Sequence, residues 1–294
     1  MNVQRSFATE DTGVLYLVAT PIGNLDDITV RCLETLRAVD VIACEDTRQT
    51  RKLLNHFHIE KRTVSYHEHN KEASGSGLLQ WLAEGKKIAL VSDAGLPAIS
   101  DPGAELVRDA TEAGYPVIPV PGANAALTAL IASGLPTERF VFCGFIGREN
   151  KERREELDRL KRYPETLIFY EAPHRIEKTL AAIREAWGNR RAVLARELTK
   201  RYEEFVRGTL DELIAWLQEG ETRGEFCLIV EGYTGPVENA EEVSWWSELD
   251  IVRHVDHYCT EGLSKKEAIK RAADDRRVSK RDVYNEYHRD SEDE

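Results

Sequence analysis

Short apolar, β-branched runs alternate along the chain with longer stretches whose apolar residues return every three to four positions. Strand-like runs occupy 14–19, 39–44, 63–66, 87–91 and 116–120. Between them the spacing predicts helices. One starts near Asp27, with Ile28, Leu33, Leu36 and Val39 on one face and Asp26 or Asp27 as its cap. Others run over 47–57, 72–83 and 104–113, and Gly85 and Gly114 stand where the last two should stop. Strand–helix–strand alternation predicts an α/β domain with a mostly parallel sheet.

The pattern restarts at Pro121-Gly122. Residues 123–133 are small and apolar and predict a closely packed helix. Strands follow at 140–144, 166–170, 192–195 and 226–231, with helices at 149–162, 175–187 and 210–218. This is a second α/β domain with more mixed strand order. The acidic, Gly- and Pro-containing stretch 234–244 reads as a linker. Helical spacing then holds over 245–290, with a break near Val278-Ser279. Ser264 with Glu267 and Ser279 with Asp282 have capping-box spacing, so the end of the chain reads equally as a helix-turn-helix unit or as a plain helical appendage. The expected division is a disordered 1–13, α/β domains at 14–121 and 122–233, the linker, the helical unit at 245–290 and a tail at 291–294.

Composition narrows the function classes. Hydrophobic residues at 41% of 294 suffice for sizeable cores. No apolar run is long enough to cross a bilayer and the N-terminus lacks a secretory apolar segment, so a cytoplasmic protein without membrane contact is expected. Cys32, Cys44, Cys143, Cys227 and Cys259 are odd in number and far apart, which suits core packing better than disulfides or zinc. The net charge of −12 counts against a nucleic-acid binder, although the local face matters more than the sum.

Common catalytic motifs are missing. There is no Walker loop and no GxSxG. Gly75-Ser76-Gly77 follows no strand and lacks a third glycine, which argues against a dinucleotide enzyme. His67-Glu68-His69 has no partner motif and reads as a solvated turn, so no metal is expected. What stands out is a set of Gly- and Pro-rich turns after predicted strands: 19–24 with Pro21 and Gly23, 43–48 with Glu45, Asp46 and Arg48, 92–103 with Ser92, Asp93, Ala94, Gly95 and Ile99, and 120–126 with Asn124 and Ala125. Parallel sheets bind ligands at the carboxyl ends of their strands, and small residues there let a ligand approach the backbone. In the second half Tyr170, His174 and Arg175 follow one strand, and Glu197 and Lys200 another, where a cleft wall would stand.

Together LYLVATPIGNLDDIT, ACEDTR, SDAGLPAISDPG, PGANAALTALIASGLP, YEAPHR, RELTK and GLSKKEAIKRAADDR resemble the ribosomal RNA small subunit methyltransferase I family, of the tetrapyrrole-methylase-like class. The resemblance spans residues 14–288. It implies two α/β domains with S-adenosylmethionine in the cleft between them. It also implies 2′-O-methylation of a decoding-centre cytidine in 16S rRNA of the 30S subunit, and a homodimer. In that class the loop matching 92–99 and the helix start at Asn124-Ala125 hold the cofactor.

A ribose hydroxyl is a weak nucleophile and needs a base or a nearby cation, for which Glu45, Asp46, Glu197 and Lys200 are candidates. Arg48, His174 and Arg175 are candidates for phosphate contact, as are Lys265, Lys266, Arg276 and Arg277 in the basic C-terminal run. Residues 148–162 and 184–207 each carry seven basic side chains, although neighbouring acids could simply pair with them. Two rivals remain: a macrocycle methyltransferase of the same fold, which has little use for a basic helical unit, and a non-catalytic ribosome-assembly factor.

Overall fold

The computed structural model describes residues 3–6, 12–67, 70–220, 223–235, 246, 249–276 and 278–289. The chain divides into two compact units, with the division after Tyr233. The first unit holds both sheets. Its elements in chain order are β1 (Val14–Val18), α1 (Val30–Ala38), β2 (Val41–Cys44), α2 (Thr47–His56), β3 (Arg62–Ser65), α3 (Lys71–Ala83), β4 (Lys87–Val91), α4 (Ala104–Glu112) and β5 (Val117–Val120). They are followed by α5 (Ala125–Ser133), β6 (Phe140–Phe145), α6 (Asn150–Leu160), β7 (Thr166–Glu171), α7 (Ile176–Trp187), β8 (Arg191–Arg196), β9 (Glu204–Thr209), α8 (Leu210–Glu219) and β10 (Phe226–Val230).

The first sheet runs β3-β2-β4-β1-β5 with every neighbouring pair parallel. Its central strands β2 and β4 are buried on both faces, as helical crossovers require, while the edge strand β3 is partly exposed. Side chains alternate with period two. Ile42 and Cys44 therefore meet Cys32 and Leu36 of α1 and Leu54 of α2, while Val41 and Ala43 join the core of Leu78 and Leu82 of α3 and Leu106 of α4. The second sheet runs β6-β7-β10-β8-β9. Only β6 and β7 are parallel; the other pairs are antiparallel. One face packs Leu167, Phe169, Leu194 and Leu228 against α7 and α8. The opposite face packs Ile168, Val193 and Ile229 against Ala126, Ala129 and Leu130 of α5.

Two local expectations are corrected. The helix expected from Asp27 is split. Leu25–Asp27 is a single 3-10 turn capped by Asn24, whose side chain accepts the Asp26 N–H at 3.1 Å. Ile28 and Thr29 are extended, and α1 begins at Val30, where Thr29 Oγ1 accepts the Cys32 N–H at 3.1 Å. A threonine hydroxyl outcompeted the aspartates as the cap. The strand β9 was not expected: at the sheet edge, half exposed, it carries no apolar run. Gln4 in the N-terminal stretch exchanges two 2.9 Å hydrogen bonds with the Val117 backbone, imitating a strand neighbour for β5.

The second unit contains α9 (Ile251–Thr260), α10 (Lys265–Arg276) and α11 (Lys280–Arg289) around a core of Val255, Ile269, Ala272 and Val283. Ser279 Oγ accepts the Asp282 N–H at 3.1 Å, as expected of a cap, whereas at Ser264 only the return half of the box forms, its N–H donating to the Glu267 carboxylate at 3.2 Å. Residues 236–244 of the expected linker and the tail 291–294 lie outside the described residues.

Leu194 has no exposed surface, so Leu194→Ala removes buried side chain and leaves a cavity. We expect a loss of about 2–5 kcal/mol in denaturant unfolding. A loss below about 1 kcal/mol would mean that the sheet core can collapse around the gap.

Candidate functional site

The turns that leave β1, β4 and β5 gather at one edge of the first sheet. Just past the strand ends, the Thr20 N–H donates to the Gly95 carbonyl at 2.9 Å and the Gly95 N–H donates back at 3.1 Å. The Thr20 hydroxyl adds a bond to the Ser92 carbonyl at 3.1 Å. Gly95 has φ +84°, and a Cβ there would stand 3.3 Å from the Ile22 side chain. In the same loop Ala98 and Ser100 have positive φ, 67° and 59°; across the cleft so do Glu197 and Thr199, at 50° and 65°. Such conformations cost about 1–3 kcal/mol each and persist where the surroundings fix them.

The two halves of the unit touch here. Ile22 packs on the core of the second sheet. The Asn24 N–H donates to Thr199 Oγ1 at 3.0 Å, and a Cβ on Gly23 would fall 2.4 Å from the Lys200 side chain. Only glycine permits that approach.

A cavity of about 470 Å3 lies between the halves, walled by Ile22, Ile99, Phe145 and Phe226, with Asp101 and Tyr170 as polar members. Ile99 and Phe145 are 40% and 53% exposed because they open into it. Its floor is backbone and small side chains at Ala94, Gly95 and Ala125, beside the start of α5. Asn124 caps that helix by accepting the Leu127 N–H at 2.9 Å, and Tyr170 Oη accepts the Ala126 N–H at 3.1 Å. Phe142 and Phe145 meet the Tyr170 ring edge-on, at 5.0 and 5.8 Å. Small residues, aromatic walls and the carboxylates of Asp101, Glu171 and Glu225 suit a flat heterocycle joined to a cationic group.

The electrostatics are unusual for exposed loops. Burial, followed by the Glu45 and Asp93 charges, pushes Asp101 up to about 6. Burial and Asp93 raise Glu45, and burial raises Asp93, whose carboxylate accepts the Asp46 N–H at 3.2 Å. The Arg48 side chain and N–H hold Asp46 below the usual carboxylate range. Burial works against ionisation of Glu197, but the Glu225 N–H and the Lys200 ammonium outweigh it and lower its pKa. Burial likewise opposes the Lys200 charge, yet hydrogen bonds to Glu225 and Glu197, at 2.8 and 2.9 Å, raise it.

A second cavity, of about 480 Å3, shares Ile22, Ala94 and Glu225 with the first. Pro21, Gly23, Ser92, Asp93 and Lys200 line it from the loops, and α2 supplies its remaining wall.

The residues singled out from sequence thus separate. Ala94, Gly95, Ile99, Asn124, Ala125, Tyr170 and His174 line the first cavity, and Ala94 together with Pro21, Gly23, Ser92, Asp93 and Lys200 the second. Glu45, Asp46 and Glu197 stand behind these walls. Arg175 turns inward: its guanidinium donates to the Ile146 carbonyl at 2.7 Å and lies 3.3 Å from the buried Glu171 carboxylate, so it braces the loop rather than facing outward. Arg276 is also turned inward, donating to His254 Nδ1 and to carbonyls of Trp246, Leu249 and Asp250 within the second unit. Arg48 is exposed and pairs with Asp46 at 3.0 Å. Lys265 and Lys266 are exposed, and Lys265 Nζ lies 4.8 Å over the Tyr287 ring. Arg277 lies outside the described residues, as do Glu68 and His69. Among the described residues no group of three His, Cys, Asp or Glu side chains could hold a metal, and no helix is long and apolar enough to cross a membrane. The sequence reading missed Asp101, Phe145 and Glu225. Asp101 sat in the quoted loop, and the signal was its place at the end of that non-periodic stretch.

Comparison with known proteins agrees with this geometry. The tetrapyrrole (corrin/porphyrin) methylase family matches residues 14–214. The ribosomal RNA small subunit methyltransferase I of Bacillus subtilis is 58% identical over 286 residues, covering 97% of this chain and 98% of that protein. Its counterpart in Halalkalibacterium halodurans is 58% identical over 291 residues, covering 99% and 100%. Among solved structures, the uroporphyrin-III C-methyltransferase of Thermus thermophilus, complexed with S-adenosylhomocysteine, superposes with a TM-score of 0.53 at 22% identity, covering 74% of this chain and 97% of that one.

Gly95→Val adds a branched side chain at a positive φ, against Ile22 and next to the Thr20 pairing. We expect S-adenosylmethionine binding to fall at least about tenfold in calorimetry while unfolding stays cooperative. Wild-type affinity would show that this loop does not shape the ligand site.

Proposed function

The chain belongs to the tetrapyrrole methylase family and is an S-adenosylmethionine-dependent rRNA methyltransferase, and we propose that its reaction is 2′-O-methylation of a decoding-centre cytidine in 16S rRNA, performed on the 30S subunit. The observation that carries the reading is full-length similarity, at 58% identity, to ribosomal RNA small subunit methyltransferases I, in a chain whose cleft holds a cavity of the right chemistry.

The fit to the cofactor is chemical. The apolar walls and the backbone at Ala94, Gly95 and Ala125 suit an adenine ring, and the Glu225 carboxylate, which lines both cavities, suits a sulfonium or ammonium. Ser92, Asp93, Asn124 and Tyr170 would hold its polar ends. When bound, S-adenosylmethionine supplies an activated methyl group. The chain must orient the ribose, exclude water and take the hydroxyl proton.

Asp46 and Glu197 are held too acidic to be good proton acceptors, and the raised Lys200 stays protonated as a cation beside the acceptor. Among the carboxylates, Asp101, Glu45 and Asp93 are raised, Asp101 up to about 6, and Asp101 lines the cofactor cavity. We assign Asp101 as the proton acceptor, with Glu45 and Asp93 setting its basicity. The RNA grip falls to exposed cations, Arg48 with Lys265 and Lys266 of the second unit. A homodimer fits Leu127 and Ile131, one turn apart on α5 and 47% and 77% exposed.

Asp101 is ionised above about pH 6 and protonated below. The single-turnover methylation rate of 30S subunits should therefore fall roughly tenfold per pH unit on the acid side and be flat above. Asp101→Asn should lower the rate and abolish that limb. An unchanged acid limb in the variant would reassign the base. For the dimer, Ile131→Asp should shift sedimentation towards the monomer; an unaltered profile would place the subunit contact elsewhere.

A further inference from the structure

We propose that the second cavity, beside α2, receives a single pyrimidine ribonucleotide turned out of the RNA, with Gln49 reading its base edge and Lys52 its phosphate. The inference rests on the methyltransferase reading above and names where that reaction's acceptor sits.

Position comes first. An acceptor oxygen must lie next to the cofactor, through a gap and not a wall. The second cavity shares Ile22, Ala94 and Glu225 with the cofactor cavity. Two further cavities, one near Gly134 and Arg207 and one near Trp216, share no residue with it. At about 480 Å3 the second cavity is within the range of about 300–1,000 Å3 usual for small-ligand sites, enough for one nucleotide and too small for a folded RNA element. A base in a helix cannot present its ribose to a recessed methyl group unless it leaves the stack.

The chemistry of the walls agrees. Gln49, Lys52 and Leu53 are spaced i, i+3 and i+4, so α2 presents all three on one face. The Lys52 ammonium donates to Gln49 Oε1 at 3.1 Å, which leaves the amide NH2 oriented to donate. A pyrimidine carries an acceptor at O2, and cytosine a second at N3, which that NH2 can meet. Leu53 and Leu25 offer apolar surface to the faces of a base, and Leu25 is 36% exposed at the 3-10 turn that forms the lip. Lys52 is itself exposed and can meet a phosphate at the mouth. On the far side Lys200, clamped between Glu197 and Glu225, brings a fixed positive charge to the sugar. The cofactor cavity, by contrast, is mostly aromatic and aliphatic, and its carboxylates Asp101, Glu171 and Glu225 come with no lysine. The two cavities divide the two substrates by chemistry.

The test uses the full-length protein with Gln49→Ala, Lys52→Ala and Leu53→Trp. Each is measured for S-adenosylmethionine affinity by calorimetry, for 30S binding over a salt series without cofactor, and for methyl transfer to 30S subunits. Gln49→Ala should lower methyl transfer about tenfold, the worth of one well-made hydrogen bond, with cofactor affinity within about twofold of wild type. Lys52→Ala should reduce the salt slope of 30S binding by about one. Leu53→Trp should fill the cavity and abolish transfer. Gln49 and Lys52 are exposed, so those two variants fold even if the tryptophan does not. The proposal is overturned if transfer and salt slope match wild type in both exposed variants. It is equally overturned if all three lose cofactor affinity in step with transfer, since the cavity would then belong to the cofactor. Wild-type protein that binds S-adenosylmethionine but methylates no 30S subunit would instead sink the underlying reading, and the acceptor site with it.

Discussion

The reciprocal backbone pairing of Thr20 with Gly95 is the contact on which the rest of the cleft depends. Two parallel strands, β1 and β4, end side by side and then separate, leaving backbone donors and acceptors that must be satisfied. Closing two of them on each other fixes where the loop after β4 begins. That loop can then carry Ala98 and Ser100 in left-handed conformations without relaxing. It also sets Ile22 on the core of the second sheet and so fixes the distance between the halves. Both cavities are consequences: Ile22 and Ala94, one on each paired turn, line both.

Much of this was legible in the sequence because parallel sheets announce themselves. Their buried strands are continuous apolar runs, and turns at their carboxyl ends must be made of residues that tolerate close approach. The loops at 19–24, 92–103 and 120–126 therefore stood out before any coordinates. What stayed hidden was whatever depends on side-chain direction. Arg175 looked like a phosphate ligand because it follows a strand end, yet its guanidinium closes on Ile146 and Glu171. Arg276 sat in a basic run and is nevertheless held by carbonyls and His254. Nothing in residue type separates an arginine that faces RNA from one that braces a turn. The strand β9 was invisible for the complementary reason: an edge strand needs only one neighbour and no apolar run.

The negative net charge also acquires a location. Burial, then the Glu45 and Asp93 charges, raises Asp101, and burial and Asp93 raise Glu45, so part of the acidity is concentrated beside the first cavity. A like-charged group of this kind costs folding free energy in the empty protein, and a bound cation relieves it. Part of the negative charge is thus gathered beside one cavity while Lys265 and Lys266 stand exposed on the second unit, a division that a uniform surface charge could not provide.

The fold itself does not choose the substrate. The uroporphyrin-III C-methyltransferase superposes over 74% of this chain at 22% identity, and its name specifies a macrocycle, while relatives at 58% identity carry the name of an rRNA enzyme. The difference must lie in what the side chains add to a common fold. The family match ends at residue 214, before β10 and well before the basic helices α10 and α11. The full-length relatives extend over 97% or more of the chain and so include those helices. On physical grounds a macrocycle needs a wide apolar trough, whereas a nucleotide needs a narrow polar recess and a separate hold on the phosphate backbone. This chain has the narrow recess, with Lys52 and Lys200 at its walls, and a second unit with Lys265 and Lys266 exposed. The sheet edges thus supply both cavities, and α2 and the helices beyond the matched family region supply the exposed lysines.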